Sequence, residues 1–220
     1  MKECIVTFVR HGIALGNLQK QHLGVTDSPL APVGIERLEK LAATGGYPPV
    51  ERVYTSPLSR CRDTAKIAYP QHEAIIVDDF IERNFGDYEA KSFEDMKDDP
   101  AYLAWVESGF KGAPGEEGES LADFGRRSVE TFRREVEKMV EEGVTAAAFC
   151  IHGGVIMAIM ASLILPDRDM YDYLPANGMG YTVRITPESW ANGYRAECLR
   201  EVPTGNAKAK YRCEVKSEEQ

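Results

Sequence analysis

Short apolar runs alternate along this chain with stretches of helical spacing. Cys4 to Val9 is an unbroken apolar run rich in β-branched residues, which predicts a buried strand ending at Arg10 and His11. Arg52–Thr55, Ala74–Val77, Thr145–Ile151, Tyr181–Ile185 and Arg195–Leu199 predict further strands. Between them, Val33, Leu38, Leu41 and Ala42 recur at helical spacing, predicting a helix over Pro32–Ala43 that stops before Gly45 and Gly46. Ser56 followed by Pro57 reads as an N-cap and first helical position, opening a helix that reaches Ala68. Ser92 with Asp95 and Ser120 with Asp123 both have capping-box spacing. The first predicts a helix running through Tyr102–Trp105. The second predicts a long amphipathic helix from Leu121 to Glu142, stopped by Gly143. Val155 to Leu165, the longest apolar stretch, predicts a buried helix just after Gly153 and Gly154.

Strands alternating with helices predict an α/β fold, a three-layer α/β/α arrangement with a mainly parallel central sheet and helices on both faces. Ligands in such sheets bind at the carboxyl ends of the strands. His11 follows one predicted strand and His152 another, so both are expected at one crevice. With 220 residues and no break in composition, positions 1–204 are expected to form a single domain. Positions 205–220 are polar and are expected to be a loose tail.

Composition narrows the function. Hydrophobic residues make up 43% and charged residues 28%, which suits a globular domain and excludes a disordered one. The formal net charge of −9 argues against nucleic acid or an anionic membrane as partner. No apolar run approaches the ~20 residues of a membrane span, and the N-terminus shows no targeting pattern. The five cysteines are odd in number and include no C-x-x-C pair, which fits reduced thiols in a cytoplasmic protein. Oligomeric state leaves no mark in the sequence.

Of four histidines, His22 and His72 fit structural or solvated roles, whereas His11 and His152 each sit beside glycine at a strand-to-loop transition. Arg10 is a cation at the end of a buried strand, a position that favours an anionic guest. Position alone leaves Arg60 open between a solvated helix face and a site residue. It leaves Glu82 level with Asp78, Asp79, Asp87 and Glu89 as candidate carboxylates.

R10-H11-G12 with Asn17, D27-S28-P29-L30 with Gly34, and S56-x-x-x-R60 with T64-A65 form an ordered series. E82-x-x-F85-G86-D87, G118-E119-S120 and H152-G153-G154 continue it. In this order, over residues 4 to 186, the chain resembles the histidine phosphatase superfamily, also called phosphoglycerate mutase-like. The resemblance implies that His11 is the nucleophile that accepts a phosphoryl group. It implies Arg10, Asn17 and Arg60 as phosphate ligands, His152 as completing the pocket, and Glu82 as proton donor. It implies a small-molecule phosphate ester as substrate, with no metal and no cofactor. Ile13-Ala14-Leu15-Gly16 departs from relatives that often carry an acidic residue, a hydroxyl residue and a tryptophan there, which bears on substrate choice. Ala31 stands where relatives often have a capping threonine, so the following helix is expected to start raggedly.

The short interval between Glu82 and His152 resembles the phosphatase branch and lacks the insertion with which mutases exclude water. A metal-independent phosphatase is therefore the leading expectation. A 2,3-bisphosphoglycerate-dependent phosphoglycerate mutase comes second and a non-catalytic phosphate-ester binding module third. Walls around the leaving group are expected from Phe85–Lys91, Ser92–Gly109 and Tyr173–Met179.

Overall fold

The computed structural model describes residues 2–165 and 169–204. The expected tail at 205–220 lies outside the described residues. Among the described residues seven strands form one sheet: β1 (Cys4–Arg10), β2 (Arg52–Thr55), β3 (Ile75–Ile76), β4 (Ala146–Ile151), β5 (Ile164–Leu165), β6 (Gly180–Ile185) and β7 (Ala196–Val202). Their order is β3-β2-β4-β1-β6-β7-β5, and β6 alone runs against the rest. The helices are α1 (Leu15–Leu18), α2 (Pro32–Ala43), α3 (Ser59–Ala68), α4 (Phe93–Met96), α5 (Pro100–Glu107), α6 (Leu121–Glu141), α7 (Gly153–Leu163) and α8 (Pro187–Ala191).

The unbroken apolar runs belong to strands covered on both faces. In β4, Ala147, Phe149 and Ile151 point into the larger core, beneath α6 and α7. The alternate residues Ala148 and Cys150 point the other way, toward Ala65 of α3 and Leu41 of α2. Period-two alternation thus divides one strand between two apolar layers, so no polar face is needed. Phe149 stacks on Tyr54 at 4.6 Å and meets Phe8, Phe80 and Phe132 at ring distances of 5.3–5.9 Å. A separate small aromatic cluster of Tyr88, Met96, Tyr102 and Trp105 covers the carboxyl-end region.

Local chemistry moved several expected boundaries. The helix expected through residues 92–105 is broken in two. Ser92 caps α4, then Asp99 accepts from the N–H groups of Ala101 and Tyr102 and starts α5 at Pro100, which has no N–H with which to continue a preceding helix. The apolar stretch after His152 begins its helix at Gly153, and its last two residues leave as β5 to pair with β7. Helix α2 starts cleanly at Pro32 although Ala31 offers no side-chain cap, because proline at the first position supplies the helical φ and needs no partner. No helix among the described residues is long and apolar enough to cross a membrane.

Candidate active site

Register brings the carboxyl ends of β1, β2 and β4 level. Arg10 pairs with Ile151, and Thr55 with Cys150, so His11, His152 and Ser56 emerge side by side. The His11 N–H donates to the Ile151 carbonyl at 2.9 Å. The two imidazoles lie 5.3 Å apart between ring centroids, edge to face.

The His11 turn is held from three sides. The Gly12 N–H donates to Thr64 Oγ1, Asn177 Nδ2 donates to the His11 carbonyl, and the Gly178 N–H donates to the Arg10 carbonyl. His11 Nδ1 lies 2.7 Å from the Gly12 carbonyl oxygen. A carbonyl only accepts, so this contact assigns the proton to Nδ1 and leaves an unprotonated lone pair on Nε2. Burial, then the nearby charges of Arg60 and Arg10, hold the His11 pKa well below the ordinary imidazole range. His152 is fully buried and is depressed in the same way, by burial first and then by Arg60. Both rings are therefore neutral at pH 7.

Ser56 is not the expected helix cap. Helix α3 begins three residues later, after Leu58, and Ser56 Oγ instead lies 2.7 Å from His152 Nε2. Cys61 Sγ sits 3.4 Å from the same nitrogen, and burial pushes its thiol pKa well up, so it stays protonated.

Arg60 enters from the first turn of α3 and is fully buried. Its Nη1 donates to the Thr26 carbonyl at 2.7 Å, and its Nη2 to the carbonyls of Gly24 at 2.8 Å and Leu23 at 3.4 Å. Arg10 Nη1 donates to the Pro175 carbonyl at 2.8 Å. The Nε atoms of both arginines are buried and meet no partner among the described residues. Two unpaired cationic N–H groups buried near one another favour an anionic guest.

Glu82 projects toward the same floor. Its carboxylate accepts from the N–H groups of Gly154 and Arg83, each at 2.9 Å. A side chain at 154 would push this carboxylate aside, so glycine there lets Glu82 reach the backbone N–H. Burial raises the Glu82 pKa, opposed by those two N–H groups and by Arg60 and Arg10. From α6, Arg127 donates to the carbonyls of Asp79 and Ile81 and so steadies the backbone leading into Glu82.

The rival carboxylates sort themselves by position. Asp79 pairs with Arg134, and Asp78 and Asp87 are exposed. Glu89 accepts five hydrogen bonds, from the N–H groups of Gly24, Val25, Thr26 and Phe85 and from Thr26 Oγ1. It therefore clamps the loop whose carbonyls hold Arg60. No periodicity signals this role, because the partners are backbone groups distant in sequence.

A cleft of about 400 Å³ opens above these groups. Arg10, His11, Asn17 and Glu82 line it, while Arg60 and His152 are wholly buried. Asn17 Oδ1 accepts from the Ala14 N–H, closing the turn into α1 without a side-chain hydroxyl at position 14. Phe85, Trp105 and Leu174 come from the expected wall segments; Phe110, Phe124, Met157 and Tyr171 come from outside them. Among the described residues, no group of three or more His, Cys, Asp or Glu side chains is arranged to hold a metal ion.

Comparison with known proteins agrees with this architecture. Residues 6–193 match the histidine phosphatase superfamily (branch 1), and the chain belongs to that family. It is 28% identical over 185 residues to the adenosylcobalamin/alpha-ribazole phosphatase of Salmonella typhimurium, covering 80% of this chain and 88% of the relative. It is also 28% identical over 165 residues to the protein named "Probable phosphoglycerate mutase GpmB" of Yersinia enterocolitica, covering 73% and 74%. The crystal structure of the alpha-ribazole phosphatase from Shigella flexneri superposes with a TM-score of 0.77 at 24% identity, covering 91% of this chain and 96% of that one, a likeness of fold.

Proposed function

We propose that this protein is a metal-independent phosphatase that hydrolyses phosphate monoesters of small molecules through a phosphohistidine on His11. The observation that carries the reading is the pair of buried, unpartnered Nε groups on Arg10 and Arg60 beside an imidazole whose Nε2 is unprotonated. Arg10, Arg60, Asn17 and His152 would hold the phosphoryl oxygens and offset the charge that spreads over them during transfer.

In the first step His11 Nε2 attacks phosphorus in line with the ester oxygen. The N–P bond forms as the P–O bond breaks, and protonated Glu82 gives its proton to the departing alkoxide. In the second step the Glu82 carboxylate takes a proton from water. The water oxygen attacks phosphorus, the N–P bond breaks, and inorganic phosphate leaves with His11 and Glu82 restored.

The test is hydrolysis of p-nitrophenyl phosphate in excess EDTA, with trapping of an acid-labile, base-stable phosphoenzyme from labelled substrate. Activity and label are expected in the wild type and absent from His11→Ala. A strict requirement for an added divalent cation, or an active His11→Ala variant, would overturn the reading. The mutase-named relative supports a second reading, phosphoglycerate mutase, which a coupled assay dependent on 2,3-bisphosphoglycerate distinguishes.

A further inference from the structure

Above its polar floor the cleft is lined mainly by apolar and aromatic groups: Phe85, Trp105, Phe110, Phe124, Met157 and Leu174. The wall is braced before any ligand arrives. Trp105 Nε1 donates to the Gly112 carbonyl at 2.9 Å, and Phe110 meets the Trp105 ring edge-on at 4.8 Å. Trp105 is itself buried and backs the more accessible Phe85, Phe110 and Leu174, so a wall held this way has little ordering left to do on binding.

The charges on this wall are already committed. Apart from Arg10 on the floor, Arg83 is the one Lys or Arg lining the cleft among the described residues. Arg83 is buried and donates to the carbonyls of Glu119, Phe110 and Gly112, with its guanidinium 5.4 Å from the Trp105 ring centre. His22 is hydrogen-bonded to Tyr102 at 2.9 Å and packs edge-on against Trp105. A second phosphate or a carboxylate on the leaving group would therefore lose its water and gain no free cation in return.

We infer that the ester this site prefers carries an uncharged, planar aromatic leaving group of one or two fused rings, seated against Phe85, Phe110 and Leu174. This rests on the phosphatase reading and deepens it. It also separates the protein from an enzyme for phosphoglycerates, whose leaving portion bears a carboxylate.

The experiment compares kcat/KM for 2-naphthylmethyl phosphate, glycerol 3-phosphate and 3-phosphoglycerate. All three release an alkoxide, so intrinsic leaving-group reactivity is roughly matched and the wall decides. Burying one face of a naphthyl group corresponds to a preference of about a hundredfold over glycerol 3-phosphate. The double variant Tyr171→Ala/Leu174→Ala alters two half-exposed rim positions, 50% and 43% accessible, and so spares the core. It is expected to lower that preference severalfold, mainly through KM for the aromatic ester. Equal efficiency for all three esters, or a preference for 3-phosphoglycerate, would overturn the inference and leave the phosphatase reading standing. Failure to hydrolyse any of them, or p-nitrophenyl phosphate, would remove the phosphatase reading and the inference with it.

Discussion

Replacing Glu89 by glutamine keeps the shape of the side chain and removes half of its accepting capacity. The carboxylate divides its five partners between two oxygens: Oε1 serves the N–H groups of Val25 and Phe85, and Oε2 serves Gly24, Thr26 and the Thr26 hydroxyl. Glutamine must turn its NH₂ toward one of these sets. The less damaging choice points it at Val25 and Phe85 and sets donor against donor twice. Hydrogen bonds to a charged group contribute about 1.5–3 kcal/mol each, and solvent reaches this half-buried site, so a loss of about 2–4 kcal/mol is expected. That is a large share of the ~5–15 kcal/mol available to a typical domain. The loop so loosened carries the carbonyls of Leu23, Gly24 and Thr26 that fix Arg60. Catalysis should therefore fall too, by about 10²–10³ if Arg60 behaves like a preorganised oxyanion donor. Urea unfolding followed by circular dichroism gives the first quantity, and kcat/KM of the folded variant gives the second. A double-mutant cycle with Arg60→Lys completes the test. Because Glu89 acts through Arg60, the two kinetic losses should be strongly sub-additive. Full additivity, or a Glu89→Gln enzyme with unchanged urea midpoint and kcat/KM, would refute the proposed clamp.

Glu82→Gln is expected to slow alkyl phosphate hydrolysis by about 10²–10⁴, while p-nitrophenyl phosphate, whose phenolate leaves without a proton, should show a rapid burst and then slow turnover. Stopped-flow absorbance checks this, and an equal loss for both substrates with no burst would assign the acid elsewhere. Stability should also depend on pH with two opposing signs. His11 and His152 have folded pKa values well below their unfolded value near 6.5. As pH falls below about 6.5 the unfolded chain binds protons that the native rings refuse, so stability drops by up to about 1.4 kcal/mol per pH unit for each ring. Glu82, raised above its unfolded value of 4.5, contributes the reverse: the native carboxyl keeps its proton longer, so its contribution is present at low pH and lost as pH rises through the raised value. Urea titrations from pH 7.5 to 4.0 should show a shallower acid loss in His11→Gln and a steeper one in Glu82→Gln, and identical slopes in all three proteins would contradict the assignment.

Much of this was legible along the chain. Apolar runs of strand length marked β1 and β4, and capping residues marked the starts of α4 and α6, because these signals are local and arise from burial and backbone hydrogen bonding within a few residues. His11 and His152 stood out because each follows such a run. The motif order then pointed to Arg60 and Glu82, which spacing alone had left undecided.

Tertiary structure decided the rest, because those features depend on groups distant in sequence. Ser56 has a cap's sequence context, yet its hydroxyl meets His152 across 96 positions, a pairing created only when β2 and β4 lie in register. Glu89 is one acidic residue among several until the fold wraps residues 24–26 around it. Trp105 falls in a segment expected to wall the leaving group, whereas Phe110 and Phe124 carry no such signal in sequence, and only packing over the sheet's carboxyl edge brings their rings to the cleft. The order of residues determined which chemical groups this protein has and which strand ends carry them. Their convergence at one end of the sheet, and the apolar surface facing it, came from packing, since buried area and electrostatic fields are properties of neighbours in space.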